Sequence, residues 1–136
     1  MNRVWQFGFP EEESFGFAQA VASGSVLHVS GQVGVDGPGH PEEMEGQMRI
    51  AYERIGRLLE MAGATFGDVL DETIFVTDLA AASKAAKVVR RAAYGPSPRV
   101  ASTMVGVAMI GSPLVQPPLL VEIKCTARLG PPSSPT

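Results

Sequence analysis

The chain has 136 residues, of which 45% are hydrophobic and 18% charged, and its formal net charge is -3. This length and composition indicate one globular domain and exclude a disordered chain. A mildly acidic protein has no general attraction for nucleic acid, so nucleic acid is not an expected partner.

Single residues and short runs limit the cellular location, cofactors and metal sites that we expect. Cys125 is the one cysteine, which excludes an intrachain disulfide and agrees with a reducing cytoplasm. The longest apolar run, Met104 to Ile110, is far shorter than the roughly 20 residues that span a bilayer. His28 and His40 are the only histidines, and no phosphate-loop glycine pattern occurs. We therefore expect no metal site, no cofactor and no membrane partner, and a cytoplasmic location.

The N-terminal third of the sequence predicts three strands and two loops. The strands are predicted at Val4–Phe7, Phe17–Ala22 and Val26–Ser30. The acidic segment Pro10–Ser14 is predicted to be a loop. Gly24 fits a tight hairpin turn between the second and third strands, because glycine readily takes a positive φ. Four glycines between positions 31 and 39 predict a loop that can contain a β-bulge.

Two helices follow from the spacing of apolar residues. The first is predicted from Pro41 to Met61, where apolar residues recur at three- and four-residue steps and proline and glutamate suit the start. The second is rich in alanine and is predicted from Asp78 to Tyr94, before Gly95 and Pro96. Further strands are predicted at Glu72–Val76, Ala101–Met109 and Leu119–Ala127.

The predicted order β-β-β-α-β-α-β-β favours an α+β fold, with a six-stranded, mainly antiparallel sheet and two helices on one face. Residues 1–129 form the single predicted domain, and residues 130–136 are predicted to be a disordered tail of glycine, proline, serine and threonine. The sheet face without helices would be bare in a monomer, so we expect self-association to cover it.

Five segments, taken together and in order, resemble the RidA/YjgF family. They are the Ser-Gly-Gln turn within Val29–Val33, the Ala-Gly…Asp-Val junction of Ala62–Val69, the strand and Asp-Leu of Thr73–Leu79, and the closing strands Val105–Ala108 and Val121–Ala127. The segments have the family's spacing and cover about residues 16 to 128.

This resemblance implies a fold, an assembly and an activity. The family's chorismate-mutase-like fold has a six-stranded sheet and two helices, its members are homotrimers, and their ligands sit in clefts between subunits. The best-known members hydrolyse reactive 2-imino or enamine acids to 2-keto acids and ammonia. Other members carry labels such as endoribonuclease or translation inhibitor. The resemblance therefore implies a small-molecule ligand and a homotrimer.

The family's deaminases hold the substrate carboxylate with an arginine that this sequence replaces. Counting back three residues from Val105 puts Ser102 in that position. A hydroxyl offers one neutral hydrogen bond where a guanidinium offers a charged, bidentate contact. Either the carboxylate contact is lost and the ligand differs, or Arg99 replaces it. We favour the first, because an odd offset along a strand points Arg99 to the opposite face.

The resemblance assigns further site residues. Glu122 stands in the position of the family's water-activating glutamate, and a carboxylate beside an imine carbon can act as a general base. The alternative is a surface charge that Lys124 balances. The resemblance also gives substrate contacts to Phe17, Ser30, Gly31 and Val105. The alternatives are ordinary turn chemistry at the serine and glycine, and a core or interface role for the phenylalanine.

Two functions follow as hypotheses. The first is cofactor-independent hydrolysis of a small imine, enamine or related amino compound, with Glu122 activating water and Ser102 and Ser30 orienting the substrate. The second is a non-catalytic trimer that binds a small metabolite or docks a protein, and the missing arginine keeps this alternative open. Endoribonuclease activity and inhibition of translation have less support, because the sequence shows no basic groove and no His/Lys acid–base set.

Overall fold

The computed structural model describes residues 2–130, so the expected tail lies outside the described residues from position 131 onward. The elements in chain order are β1 (Arg3–Trp5), α1 (Pro10–Phe15), β2 (Ala20–Ser23), β3 (Val26–Val33), α2 (Met44–Met61), β4 (Val69–Val76), α3 (Leu79–Tyr94), β5 (Ala101–Gly106) and β6 (Val121–Arg128). A short 3-10 helix, Phe66–Asp68, precedes β4.

All six strands form one sheet in the order β1-β2-β3-β6-β4-β5. β4 and β5 are parallel, and the other neighbouring strands are antiparallel. Parallel neighbours need a crossover connection, which α3 supplies between β4 and β5. The predicted six-stranded, mainly antiparallel sheet is confirmed.

One face of the sheet packs against α2 and α3, as predicted. Successive strand residues point to opposite faces, and along β6 Val121, Ile123 and Cys125 are buried whereas Lys124 is exposed. The helices fill the space above the buried face with the side chains of Met48, Ile55, Leu58, Leu59 and Ala82. The other sheet face is partly open, and His28 and Lys124 are exposed there.

The segment predicted as an acidic loop is a helix, α1. Pro10 suits its first turn, and Gly16 ends it with a φ of 74°. Inside this short helix, the Glu12 carboxylate accepts hydrogen bonds from the backbone N–H groups of Phe7 and Gly8 at 2.8 and 3.0 Å. These contacts tie the helix to the preceding chain, so α1 does not need an apolar stripe of its own.

Most of the predicted elements have an end that differs from the structure by one to three residues, and three of these differences have a clear reason. The first long helix begins at Met44 rather than Pro41, because Glu43 still has an extended backbone. β2 begins at Ala20 rather than Phe17, whose N–H donates to the Glu12 carbonyl at 3.0 Å instead of to a strand. β5 ends at residue 106 rather than 109, because its partner β4 ends opposite, at residue 76.

The predicted hairpin turn and bulge are both present. Gly24 has a φ of 60° between β2 and β3, and the register of β3 against β6 shifts between Val29 and Gln32. Within the described part of the chain, none of the helices has both the length and the apolar character that a membrane crossing requires.

Candidate functional site

A cavity of about 500 Å³ lies where β3 extends beyond its neighbour β2. The pairing of these two strands ends with Ala20 opposite Val29, whereas β3 continues to Val33 beside β6. A bulge bends the strand at this point. Residues that line the cavity include Phe9, Phe17, Gly31, Val33, Arg54 and Glu122. This volume is typical of small-molecule sites, which measure roughly 300–1,000 Å³.

The carboxylate of Glu122 lies against the backbone of β3. Glu122 is paired with Val33 and Phe75, and its side chain points away from the helix-covered face. A Cβ atom at Gly31 would lie only 2.6 Å from the Glu122 Oε2 atom, so glycine is required for this close approach. Glycine at position 31 and glutamate at position 122 thus form one packing unit.

The Glu122 carboxylate has no protein partner among the described side chains. Within residues 2–130 it has no side-chain hydrogen-bond partner, and none of the ion pairs includes it or Lys124. The alternative interpretation of Glu122, a charge balanced by a direct pair with Lys124, therefore has no support in these residues.

Aromatic side chains supply an apolar wall. Phe17 is 39% exposed and lines the cavity together with Phe9, which precedes α1. Phe9 packs at a ring-centroid distance of 5.2 Å against Phe7. A mostly apolar pocket with a few polar groups is the usual composition of a small-ligand site.

A buried arginine, Arg54 of α2, completes the cavity, and the sequence prediction missed it. Its side chain is only 8% exposed. Its Nε donates to the Gln32 Oε1 atom at 2.9 Å, and its Nη1 donates to the Val35 carbonyl at 2.6 Å. The guanidinium also lies over the rings of Phe7 and Phe9, 5.5 and 5.3 Å from their centroids. Burial, and then the charge of Arg57, lower the pKa of Arg54 from its ordinary value.

Two buried glutamines connect Arg54 to the α1 carboxylate. Gln32 donates to the Gln19 Oε1 atom at 2.9 Å, and Gln19 donates to the Glu12 Oε2 atom at 2.9 Å. Burial opposes the ionisation of Glu12, but hydrogen bonds from Phe7, Gln19 and Gly8 outweigh it and lower the pKa of Glu12. A hydrogen-bonded chain therefore joins the Arg54 guanidinium to the Glu12 carboxylate beside the cavity.

Ser30 lies next to the cavity but uses its hydroxyl in the fold. Its Oγ donates to the Ala18 carbonyl at 2.6 Å, and its N–H donates to the Gln19 carbonyl at 2.8 Å. These bonds hold the segment that leads into β2 against the bulged strand. Ser30 is thus brought close to Gly31, although it does not itself line the cavity.

Ser102 lies on the other side of the sheet from Glu122. It is opposite Glu72 in the β4–β5 register, and its Oγ donates to the Glu72 Oε2 atom at 2.6 Å. Arg90 of α3 donates to the same hydroxyl at 3.0 Å. The structure therefore does not bring Ser102 to the cavity of its own subunit.

Both tyrosines of the chain bind the same buried carboxylate. Tyr52 and Tyr94 each donate to the Glu72 Oε1 atom at 2.8 Å, and Glu72 is 2% exposed. Burial, and then the charge of Glu72, raise the pKa of both tyrosines. This cluster joins α2, α3, β4 and β5 on the helix-covered face.

The two remaining candidates, Val105 and Arg99, also lie apart from the cavity. Val105 is on β5, three strand positions from Gly31 on β3, which is about 14 Å at the usual strand spacing. Arg99 is exposed in the segment before β5. Neither residue contacts the cavity of its own subunit.

Cys125 is buried on β6, as a small apolar residue would be. Burial, and then the nearby carboxylates of Glu72 and Asp71, raise the pKa of its thiol to about 12. Such a thiol is not a nucleophile at neutral pH. Among residues 2–130, no three histidine, cysteine or carboxylate side chains cluster in a way that could hold a metal ion.

The fold and the cavity define a class of protein, a six-stranded α+β domain with a small-ligand cavity beside a bulged strand. The sequence model of one family, described as "Endoribonuclease L-PSP", matches residues 12–129, and the chain belongs to that family. The recognition of the RidA/YjgF family from five short segments is confirmed.

Individual relatives agree with this assignment. The "RutC family protein YjgH" of Escherichia coli is 33% identical over 114 residues, which cover 83% of this chain and 82% of that protein. The crystal structure of Rv2704, a member of the "YjgF/YER057c/UK114 family" from Mycobacterium tuberculosis, is 30% identical with a TM-score of 0.82. The structural match covers 95% of this chain and 100% of the Rv2704 chain. The "2-iminobutanoate/2-iminopropanoate deaminase" of Salmonella typhimurium is 35% identical over 65 residues, which cover 46% of this chain and 51% of that protein.

Proposed function

We propose that the protein is a cofactor-independent hydrolase of small imines or enamines, and that it works in clefts between the subunits of a homotrimer. The observation that carries the proposal is Glu122, a carboxylate that lines a ligand-sized cavity and has no side-chain partner within residues 2–130. A relative whose name states an imine deaminase activity supports the same reaction type.

Glu122 serves as the general base in this reaction. It takes a proton from a water molecule, the water oxygen bonds to the imine carbon, and the C=N π electrons pass to nitrogen, which gains a proton. The C–N bond of the resulting carbinolamine then breaks. The hydroxyl loses its proton to the medium and the departing nitrogen takes one up, so that the C=O bond forms and ammonia leaves. The balance is one imine and one water to one ketone and one ammonia, so no oxidant or cofactor is required.

Gly31 positions this base, and Phe17 covers the reacting centre. The close approach between the Gly31 backbone and the Glu122 side chain limits where the carboxylate can move. Phe17 and Phe9 keep the site mostly apolar, which strengthens the electrostatic interactions of the few polar groups there.

A trimer gives the more distant candidate residues a role. Within one subunit, a small ligand cannot contact both Gly31 and Val105 across about 14 Å. Subunits that associate through the open sheet face would bring β5 of one copy to the cavity of the next. The backbone near Val105, and Arg99 in the segment before β5, would then act from a neighbouring subunit.

A second candidate function is a non-catalytic trimer that binds a small metabolite. One observation favours it: where the family resemblance places the carboxylate-binding arginine, Ser102 stands and its hydroxyl is bonded to Glu72 at 2.6 Å. In that case Glu122 would bind a polar group of the ligand without activating water.

Ammonia release from 2-iminobutanoate, generated in the assay by a dehydratase, tests the choice between the two functions. The wild type should accelerate release over the uncatalysed rate, and Glu122→Gln should lose about 100-fold or more, because an amide cannot accept the proton. Glu60→Gln, at an exposed glutamate of α2, is the matched control. A wild type that binds 2-oxobutanoate but releases no extra ammonia would instead support the binding protein.

A further inference from the structure

We propose that Arg54 of α2 is the anion-binding residue of the cavity and that it binds the carboxylate of the small ligand. The inference deepens the proposed function, because it concerns the same cavity. It names a residue outside the five segments that resemble the family, on a different element from Ser102.

The first argument is that this guanidinium is buried without a directly paired anion. Arg54 is 8% exposed, and no ion pair among residues 2–130 includes it. Its two hydrogen-bond acceptors, the Gln32 amide and the Val35 carbonyl, are neutral. A buried charge is costly unless it is paired, so the site is poised to gain from an anionic ligand.

The second argument is that part of the guanidinium remains available. A guanidinium has five N–H donors, and Arg54 uses one from Nε and one from Nη1. No buried side-chain nitrogen or oxygen among residues 2–130 lacks a partner, so the Nη2 group, which donates to no protein atom, is accessible. Since Arg54 lines the cavity, we assign this group to the contact with a ligand there.

The third argument is that the side chain is held in place before a ligand arrives. The rings of Phe7 and Phe9 lie within 5.5 Å of the guanidinium carbon. Gln32 fixes Nε, and Gln19 in turn fixes Gln32. A binding group that is ordered in advance loses little conformational entropy on binding, so most of the interaction energy contributes to affinity.

The charges of the cavity also fit a particular ligand. Arg54 contributes a cation from α2, and two carboxylates also line the cavity, Glu122 from β6 and Glu11 from α1. A small acid with a C=N group beside its carboxylate would use Arg54 and Glu122, with the anionic end at the guanidinium and the reacting carbon at the base. The planar guanidinium suits a carboxylate geometrically.

Binding of 2-oxobutanoate, the keto product of 2-iminobutanoate hydrolysis, tests the inference by calorimetry. Its neutral methyl ester is the matched probe, and inorganic phosphate is a competing anion. We expect the wild type to prefer the acid to the ester, and Arg54→Gln to weaken acid binding about 10- to 100-fold, with Arg54→Lys in between. Arg49→Gln, an exposed arginine on the same helix paired with Glu45, should leave binding unchanged.

Several outcomes would overturn the inference. These are equal binding of acid and ester, no binding of the acid, unchanged binding in a folded Arg54→Gln variant, or an effect of Arg54 on phosphate alone. If the Arg54 variants do not fold, the side-chain Nε–H resonance of Arg54 in the wild type decides. It should shift when 2-oxobutanoate is added, and an unmoved resonance at saturation would overturn the inference.

The design separates this inference from the proposed hydrolysis. Glu122→Gln should lower turnover by about 100-fold or more while retaining binding of 2-oxobutanoate. Acid binding that depends on Arg54, in a protein without turnover, would uphold the anion site and reject the hydrolase. Turnover that requires Glu122, together with acid binding that is unchanged in the Arg54 variants, would uphold the hydrolase and reject the anion site.

Discussion

The hydroxyl of Ser102 donates a 2.6 Å hydrogen bond to the Glu72 carboxylate across the parallel pairing of β5 with β4. This bond assigns Ser102 to a buried polar cluster on the helix-covered face, together with Tyr52 and Tyr94. In this structure Ser102, which the family resemblance sets at the arginine position, stabilises the fold of its own subunit.

Replacing Ser102 with alanine tests that role. The variant loses a hydrogen bond to a buried carboxylate, so its free energy of unfolding should fall by about 1–3 kcal/mol, while turnover per folded protein stays unchanged. Ser97→Ala, at an exposed serine in the preceding segment, is the control. Chemical denaturation measures the difference. A Ser102→Ala variant that loses turnover but keeps its stability would show that Ser102 belongs to the ligand site instead.

Because of the two tyrosines, the free energy of unfolding should fall at alkaline pH. Their folded pKa values are raised above the value of about 10 expected in the unfolded chain. Their contribution is therefore complete below pH 10 and is lost as the pH rises further, because the unfolded state then releases protons that the folded state retains. The raised pKa of Cys125, about 12, acts in the same direction from about pH 9.

Tyr94→Phe isolates one tyrosine from this pH dependence. Between pH 9 and 11.5 the free energy of unfolding should decline less steeply in the variant than in the wild type. The difference between the two slopes should correspond to the release of about one proton on unfolding. Tyrosinate absorbance should appear in the wild type only together with unfolding. Free titration of either tyrosine near pH 10 in folded protein would contradict the buried cluster.

Gly31→Ala should disturb the base without removing it. The added methyl would lie 2.6 Å from the Glu122 Oε2 atom, so the carboxylate must move away from the strand. We expect turnover to fall by about 10-fold or more, because catalysis depends on the position of the base to within about an ångström. Gly130→Ala, where nothing lies within 4 Å, is the control. Full activity in a folded Gly31→Ala trimer would contradict this geometry.

The sequence could predict the long helices and the sheet because their apolar spacing is regular. Both α2 and α3 were found to within three residues at each end. α1 was missed because six residues with three consecutive glutamates show no such spacing. It is stabilised by Glu12 contacts with Phe7, Gly8 and Gln19, which are visible only after folding.

The candidate site was predicted in part, for a similar reason. Glu122, Gly31 and Phe17 do line one cavity, whereas Ser102 does not, because strand alternation around β5 could not be read from the motif alone. The position of Arg54 in the apolar spacing of the first long helix could have indicated a buried arginine. It lies three residues after Ala51 and four before Leu58, on the buried stripe of α2, where an arginine calls for a partner.

A crystal structure with 2-oxobutanoate bound is the most direct test of the central claim, that this cavity is the ligand site of a hydrolase. The account predicts the ligand carboxylate within hydrogen-bonding distance of the Arg54 guanidinium, the keto carbon facing the Glu122 carboxylate, and a neighbouring subunit closing the cavity. A ligand bound elsewhere on the protein, with this cavity empty, would contradict it.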